Sequence, residues 1–257
     1  MDIVVIATVS LFASGLTLFS GFGLGTLLMP AVAIFFPVDV AIAITAIVHF
    51  ANNIFKLALL GLHADKDVVI KFGVPAVLAA FLGAFTLGWL SSLEPIYQYS
   101  LMERAFMVMP VKLIIGFLII IFVLVELSKT FSSIKLDKKF LPFGGCLSGF
   151  LGGLSGHQGA FRSMFLLKAG LSKEQFIATG VVLAVIVDMS RILIYGWDAT
   201  TSAKDVNWLL VAIATLSAFI GAFVGARLMK KMTINSVQML VSILLVIVAF
   251  GMIVGIL

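Results

Sequence analysis

Apolar runs separated by short polar or glycine-rich breaks cover the chain almost from end to end. They fall at about 3–20, 22–36, 38–61, 69–90, 106–127, 140–155, 157–170, 174–196, 206–229 and 234–257. A helix needs about 20 apolar residues to cross the hydrocarbon core of a bilayer, and most of these runs are close to that length. Three of them, 22–36, 140–155 and 157–170, are shorter, and each is bounded or interrupted by Gly or Pro. The first break falls at Gly21, Gly23 and Gly25, with Pro30 beyond; the 140–170 stretch carries Gly144, Gly145, Gly149, Gly152, Gly153, Gly156 and Gly159. Glycine unwinds a helix at low cost and lets backbones approach. Each stretch therefore reads as a helical hairpin bent near the membrane middle, or as two short spans. The pattern predicts an all-α polytopic membrane protein.

Composition narrows the class. The 257 residues are 62% hydrophobic and 11% charged, with a mean hydropathy of +1.23, whereas a soluble domain is about half apolar and a quarter charged. No segment between the runs is long enough to fold as a separate domain, which excludes soluble catalytic modules and nucleic-acid-binding modules. The net charge of +5 reports orientation first in such a chain. One cysteine, Cys146, and three histidines make a poor metal-ligand set, and no cofactor is implied. Met1-Asp2 ahead of the first run lacks the basic n-region of a signal peptide, so 3–20 is counted as a span.

Basic residues then predict sidedness. The 128–139 segment carries Lys129, Lys135, Lys138 and Lys139 and is expected to be cytoplasmic. If each hairpin enters and leaves on one side, Lys66, Lys71, Lys168, Lys173, Arg227, Lys230 and Lys231 fall inside as well, making 11 of the 17 basic residues. Arg104 and Lys204 fall outside, and both termini are expected to be periplasmic. The two hairpins then enter from opposite faces, each followed by three long spans: a first repeat over 1–127, a cytoplasmic linker over 128–139 and a second, inverted repeat over 140–257. At an offset of 135, Ser20-Gly21 matches Ser155-Gly156, Asp39 matches Glu174, Ala43 matches Ala178, Asn53 matches Asp188, Lys56 matches Arg191 and Gly61 matches Gly196. After a three-residue insertion, Gly83-Ala84-Phe85 matches Gly221-Ala222-Phe223. Inverted repeats with broken helices meeting near the midplane are the build of many secondary transporters.

Two segments carry a family resemblance. Gly21-Phe-Gly-Leu-Gly-Thr-Leu-Leu-Met-Pro30, followed by Pro37-x-Asp39 and a long span, resembles the first signature of the sulfite exporter TauE/SafE family of permeases. Gly149-Phe-Leu-Gly-Gly-Leu-Ser-Gly-His-Gln-Gly159 resembles the second, with His157-Gln158 interrupting the glycines and Arg162 at an apolar position of the pattern. The resemblance spans essentially the whole chain. It implies movement of sulfite, sulfonates, related sulfur oxyanions or organic acids across the inner membrane, with a small anionic substrate and the bilayer as partners. A homodimer and protons as the coupling ion stay open.

Candidate chemistry lies in the ionisable and amide residues inside the runs. Thr45, His49, Asn52, Asn53 and Lys56 recur at steps of three and four, one face of a helix; Asp188, Arg191 and Tyr195 repeat the stripe in the second half. Charge at membrane depth faces a cavity or a partner. Against this, Lys56 could reach the headgroups by snorkelling, and Asp188 and Arg191, three apart, could simply neutralise each other. Gly156-His157-Gln158-Gly159 opens a short helix whose free N–H groups and dipole favour an anion, to which Arg162 adds a guanidinium fork. Lys56, Arg162 and Arg191 against Asp188 leave an excess of two positive charges, which an anion of one or two negative charges would offset. The candidate substrate-binding set is Lys56, Arg191, Arg162, Asn52, Asn53, His49, His157, Gln158, Gly21, Gly23 and Gly156, with Asp188 as candidate proton-coupling group.

Two other readings use some of the same residues. Gly153-Leu-Ser155-Gly156 matches the Gly-x-Ser-Gly word of intramembrane serine proteases, but no histidine follows His157 to serve as base. An anion channel needs similar basic residues; the inverted repeat and broken hairpins favour a permease working by alternating access.

Overall fold

The structure, a computed structural model, describes residues 2–20, 23–60, 63–101, 104–128, 137–197, 206–228 and 234–256. Among these the order is α1 (Asp2–Ser20), α2 (Leu24–Ala33), α3 (Val38–Leu60), α4 (Lys66–Ser91), β1 (Tyr97–Leu101), β2 (Arg104–Val108), α5 (Pro110–Leu127), a 3-10 turn (Lys138–Phe140), α6 (Leu141–Ser155), α7 (Gly159–Leu166), α8 (Lys173–Trp197), α9 (Trp208–Leu228) and α10 (Ile234–Ile253). The chain is an all-α membrane protein, with one hairpin among the described residues. Segments Val38–Ala58, Lys66–Ser91, Glu174–Tyr195 and Trp208–Gly225 are long and apolar enough to cross a bilayer. The apolar stretches Asp2–Leu16, Leu24–Ala33, Pro110–Val125 and Ser242–Ile253 are shorter; α2 as a whole has 10 residues and α7 has 8, lengths of roughly 15 and 12 Å.

The glycine-rich stretches are broken helices. α2 begins after Gly23, whose φ of 81° lies in the left-handed region that residues with a Cβ avoid. α6 ends on Gly156, φ 79°, whose N–H closes the last turn on the Gly152 carbonyl at 2.9 Å. Elsewhere local sequence sets the ends. Asp65 caps α4 by accepting from Val68 N at 3.0 Å, and Pro110 opens α5 where no N–H is needed. Ser172 and Gln175 cap the start of α8 reciprocally, at 3.2 and 3.1 Å.

The hairpin corrects one expectation. Residues 106–108, placed by the sequence at the start of a span, form β2 and pair antiparallel with β1, Tyr99 opposite Phe106. The helix starts only at Pro110, a residue that suits a first turn and not a helix interior. Tyr97-Gln-Tyr99-Ser alternates with period two, and the Tyr99 ring stacks on Phe106 with centroids 5.4 Å apart. The Tyr99 hydroxyl donates to the Val254 carbonyl at 2.6 Å, tying the hairpin to the end of α10.

Packing inverts the soluble pattern. Ile70, Val74, Leu78, Leu82, Phe85 and Trp89 form an exposed apolar stripe down α4, as a lipid-facing helix requires. Its opposite face meets α6 so closely that a Cβ on Gly145, Gly149 or Gly153 would strike the carbonyl oxygen of Phe72, Ala76 or Ala80. α1 and α9 pack the same way, Gly221 against the Leu11 carbonyl and Gly225 against Gly15. The Gly221-x-x-x-Gly225 word is thus a packing face, as small-xxx-small words commonly are. Further packing pairs are α3 with α8, α4 with α8, α3 with α9, and α5 with α10. Two long helices, α3 and α8, therefore cross beside both breaks.

Candidate functional site

The apolar surroundings make the polar interior conspicuous. Among the described residues, the ionisable side chains that are buried are His49, Lys56, His157, Arg162, Asp188 and Arg191. All come from α3, α8 and the second break, and each is one that the sequence marks. Burial in apolar surroundings requires that such groups be paired or hydrogen-bonded, and their pairing is unequal.

Asp188, on α8 and fully buried, is the centre. Its Oδ1 accepts from Arg191 Nε at 3.1 Å, Arg191 Nη2 at 2.8 Å and Gln158 Nε2 at 2.9 Å. Its Oδ2 lies 2.6 Å from His49 Nδ1 on α3. A carboxylate offers no proton, so His49 Nδ1 is the donor; the Asn53 amide nitrogen, itself a donor, lies 3.3 Å from Nε2 and makes that nitrogen the acceptor of a neutral ring. The two lips of the fold converge on these residues. A Cβ at Gly23 would sit 3.2 Å from His49 Nε2, and one at Gly156 would sit 3.0 Å from Arg191 Nη1. Gly25 stands next to the Gly156 carbonyl, its Cβ position 3.5 Å away, so the first and second breaks touch.

Gln158 links this cluster to Arg162. Its amide donates to Asp188 and its Oε1 accepts from Arg162 Nη1 at 3.3 Å, while its backbone carbonyl is held by the Ser148 hydroxyl at 2.9 Å. Arg162, one turn into α7, is 8% exposed, so it lies inside the protein rather than at a surface. Lys56 is 5% exposed and is near enough to Arg162 for the two charges to interact. Neither Lys56 nor Arg162 has an ion pair with a carboxylate among the described residues. Arg191 differs: its Nε–Nη2 edge belongs to Asp188, and its Nη1 makes a long contact of 3.4 Å to the Gly152 carbonyl.

Polar neighbours extend the site along α3 and the second break. Asn52 accepts from the Ser14 hydroxyl at 3.1 Å, while its own amide nitrogen has no hydrogen-bond partner; the same holds for Thr45 Oγ1 and His157 Nε2. His157 Nδ1 donates to the Ser155 carbonyl at 2.9 Å, and its ring stands edge-on to Phe122. The Ser155 hydroxyl donates to the Leu151 carbonyl at 3.0 Å; His157 Nδ1 lies 3.2 Å from that hydroxyl, but as the nitrogen that donates to the Ser155 carbonyl it carries a proton and is not a base for it. Tyr195 closes the stripe on α8 by donating to the Gly153 carbonyl.

Contacts thus join His49, Asn53, Gln158, Arg162, Asp188, Arg191, Gly23 and Gly156. Lys56, Asn52 and His157 are buried on the same elements without a hydrogen bond to Asp188. Gly21 lies outside the described residues together with Lys129 and Lys135. Sequence reasoning passed over Ser14 and Ser148, single hydroxyls in apolar helices whose signal is a small polar residue on a glycine-bearing face. It did not foresee the bridging role of Gln158. The donor set presented is cationic and amide-rich and suits an oxyanion; among the described residues no group of His, Cys, Asp and Glu could hold a metal. A family model described as Sulfite exporter TauE/SafE matches residues 6–252. No curated protein and no solved structure matches the chain.

Proposed function

The chain belongs to the sulfite exporter TauE/SafE family, and on that premise we propose that it is a secondary transporter whose anion site lies where the two broken hairpins meet. The family makes it a multi-pass membrane transporter of sulfur anions and not an enzyme. The finer reading is a small anion, sulfite, an organosulfonate or a related organic acid, carried across the bacterial inner membrane by alternating access. One observation carries it: Lys56 and Arg162 are nine-tenths buried, close enough for their charges to interact, and without a carboxylate partner among the described residues. Like charges in that position are costly unless an anion binds between them. Arg191 Nη1 and the Asn52 amide nitrogen are further donors in the same polar interior, and Gly23 and Gly156 keep side chains away from His49 and Arg191.

Alternating access draws support from the packing pairs. α1 on α9 is matched by α6 on α4, and α4 on α8 by α9 on α3, while α3–α8 and α5–α10 each join a helix to its own sequence mate. That is the pairing a two-fold relation between 1–127 and 140–257 demands. The basic residues further support a cytoplasmic 128–139 segment and periplasmic termini. For Asp188, chemistry permits a counter-ion role or proton coupling, and its four hydrogen-bond donors favour the counter-ion. The test is binding and proteoliposome flux across sulfite, sulfate, sulfoacetate, taurine and carboxylates. Saturable transport of at least one sulfur oxyanion, lost in Lys56→Ala and Arg162→Ala, is the expected result; flux unaffected by both substitutions overturns the site.

A further inference from the structure

The charge count of the buried cluster constrains how the transporter cycles. Three cations, Lys56, Arg162 and Arg191, stand with one carboxylate, Asp188, among the buried ionisable residues described. Asp188 sits three residues before Arg191 on α8 and holds it through Nε and Nη2, so this pair moves as a neutral unit. His49, as a neutral donor to Asp188, adds nothing to the sum. The excess of two positive charges is therefore located at Lys56 and Arg162, on two different elements, α3 and α7.

Among the described residues no rearrangement of side chains removes it while Lys56 keeps its proton. One carboxylate cannot offset three cations, whichever of them it turns to. Alternating access requires a state in which the site is closed to water on both sides, and in that state the empty cluster would hold its charge in surroundings of low dielectric. A doubly charged oxyanion between Lys56 and Arg162 brings the cluster to neutrality; a singly charged one leaves half of the excess. We propose that the protein is an anion exchanger with a preference for dianions: the loaded form reorients readily, and the empty form is held back by its own buried charge. This rests on the anion site proposed above. It also assigns the direction of electrical coupling. The return of the empty form moves positive charge with it, so an inside-negative membrane potential pulls the empty carrier inward and drives net export of the dianion.

The experiment uses the full-length chain in proteoliposomes loaded with radiolabelled sulfite, close to neutral pH, where the sulfite dianion is present and a buried lysine keeps its charge, with the potential clamped by valinomycin and potassium gradients. Efflux is followed into medium with sulfite (exchange) and without it (net). Exchange is expected to exceed net efflux by at least about tenfold at zero potential; inside-negative potential should accelerate net efflux and leave exchange unchanged. Lys56→Gln, which removes one excess charge, should narrow the ratio of exchange to net efflux. Equal rates that ignore voltage overturn the proposal, as does net efflux that follows an imposed pH gradient instead of the potential. Sulfite binding to the detergent-solubilised protein separates the two levels: intact binding with equal rates removes the exchange mechanism alone. Absence of both binding and flux removes the anion site and the mechanism with it.

Discussion

His49 Nδ1 on α3 lies 2.6 Å from Asp188 Oδ2 on α8, joining two residues 139 positions apart in the chain. The contact spans the two halves of the sequence and sits between the Gly23 and Gly156 breaks. It makes the carboxylate a shared element: one oxygen faces α3, and the other gathers Arg191 and Gln158.

Removing the carboxylate charge tests the counter-ion role. Asp188→Asn leaves the Arg191 guanidinium buried without its counter-charge, and breaking a buried pair typically costs about 3–5 kcal/mol. Thermal unfolding in detergent should register that loss, and Asp188→Asn with Arg191→Gln should recover most of it, as a double-mutant cycle measures. The pH profile of residual flux should be unchanged. If instead Asp188→Asn transports normally and has lost its pH dependence, Asp188 is a coupling group.

The unpaired cations should behave in the opposite sense. Lys56→Ala and Arg162→Ala remove charges with no carboxylate partner among the described residues, so the fold should be retained while anion binding weakens by about 2–5 kcal/mol. Isothermal calorimetry with sulfite and melting curves on the same samples give both quantities. Arg191→Ala should weaken binding and also lower stability, because it strands Asp188. Equal behaviour of all three variants would dissolve the distinction between paired and unpaired cations.

The α4–α6 contact predicts a steep response to a single methyl group. Gly149→Ala and Gly153→Ala drive a Cβ into the carbonyls of Ala76 and Ala80, and the two helices must separate. Overpacking of this kind costs about 1–3 kcal/mol or more, visible as reduced yield of folded protein and a lower melting temperature. Gly170→Ala meets no atom within 4 Å; it bears only the left-handed backbone penalty of about 1–2 kcal/mol. A variant at 149 or 153 as stable as the parent would contradict the packing.

Sidedness can be read with an introduced thiol. With Cys146, which is exposed, changed to Ser, Lys135→Cys should react in intact cells with a membrane-permeant maleimide and resist an impermeant one. Labelling by the impermeant reagent would place the 128–139 segment outside and reverse the proposed orientation of both halves.

Helix positions were legible in the sequence because the signals are local. A run of apolar residues finds its own backbone hydrogen bonds in a helix, and a glycine in the left-handed region, as at Gly23 and Gly156, bounds it; α1, α3, α8 and α9 accordingly fall within a few residues of the runs that predicted them. Residues 106–108 escaped because an apolar run carries no sign of whether it begins as strand or helix, and the hydrogen bond from Tyr99 to Val254 joins positions 155 apart. The candidate site was legible for a different reason. Charge and amide groups are so costly within apolar spans that their presence alone marks them, and Lys56, Arg162, Asp188 and Arg191 needed no partner to be noticed. Which cation is satisfied and which is not was decided by tertiary structure. Spacing offers Asp188 to Arg191, but His49 reaches the same carboxylate only because α3 crosses α8, and Gln158 joins Arg162 to it only because the second break folds back there. Composition and periodicity act along the chain, whereas the distribution of one carboxylate among three cations depends on distances between helices far apart in sequence, and these exist only once the helices have packed.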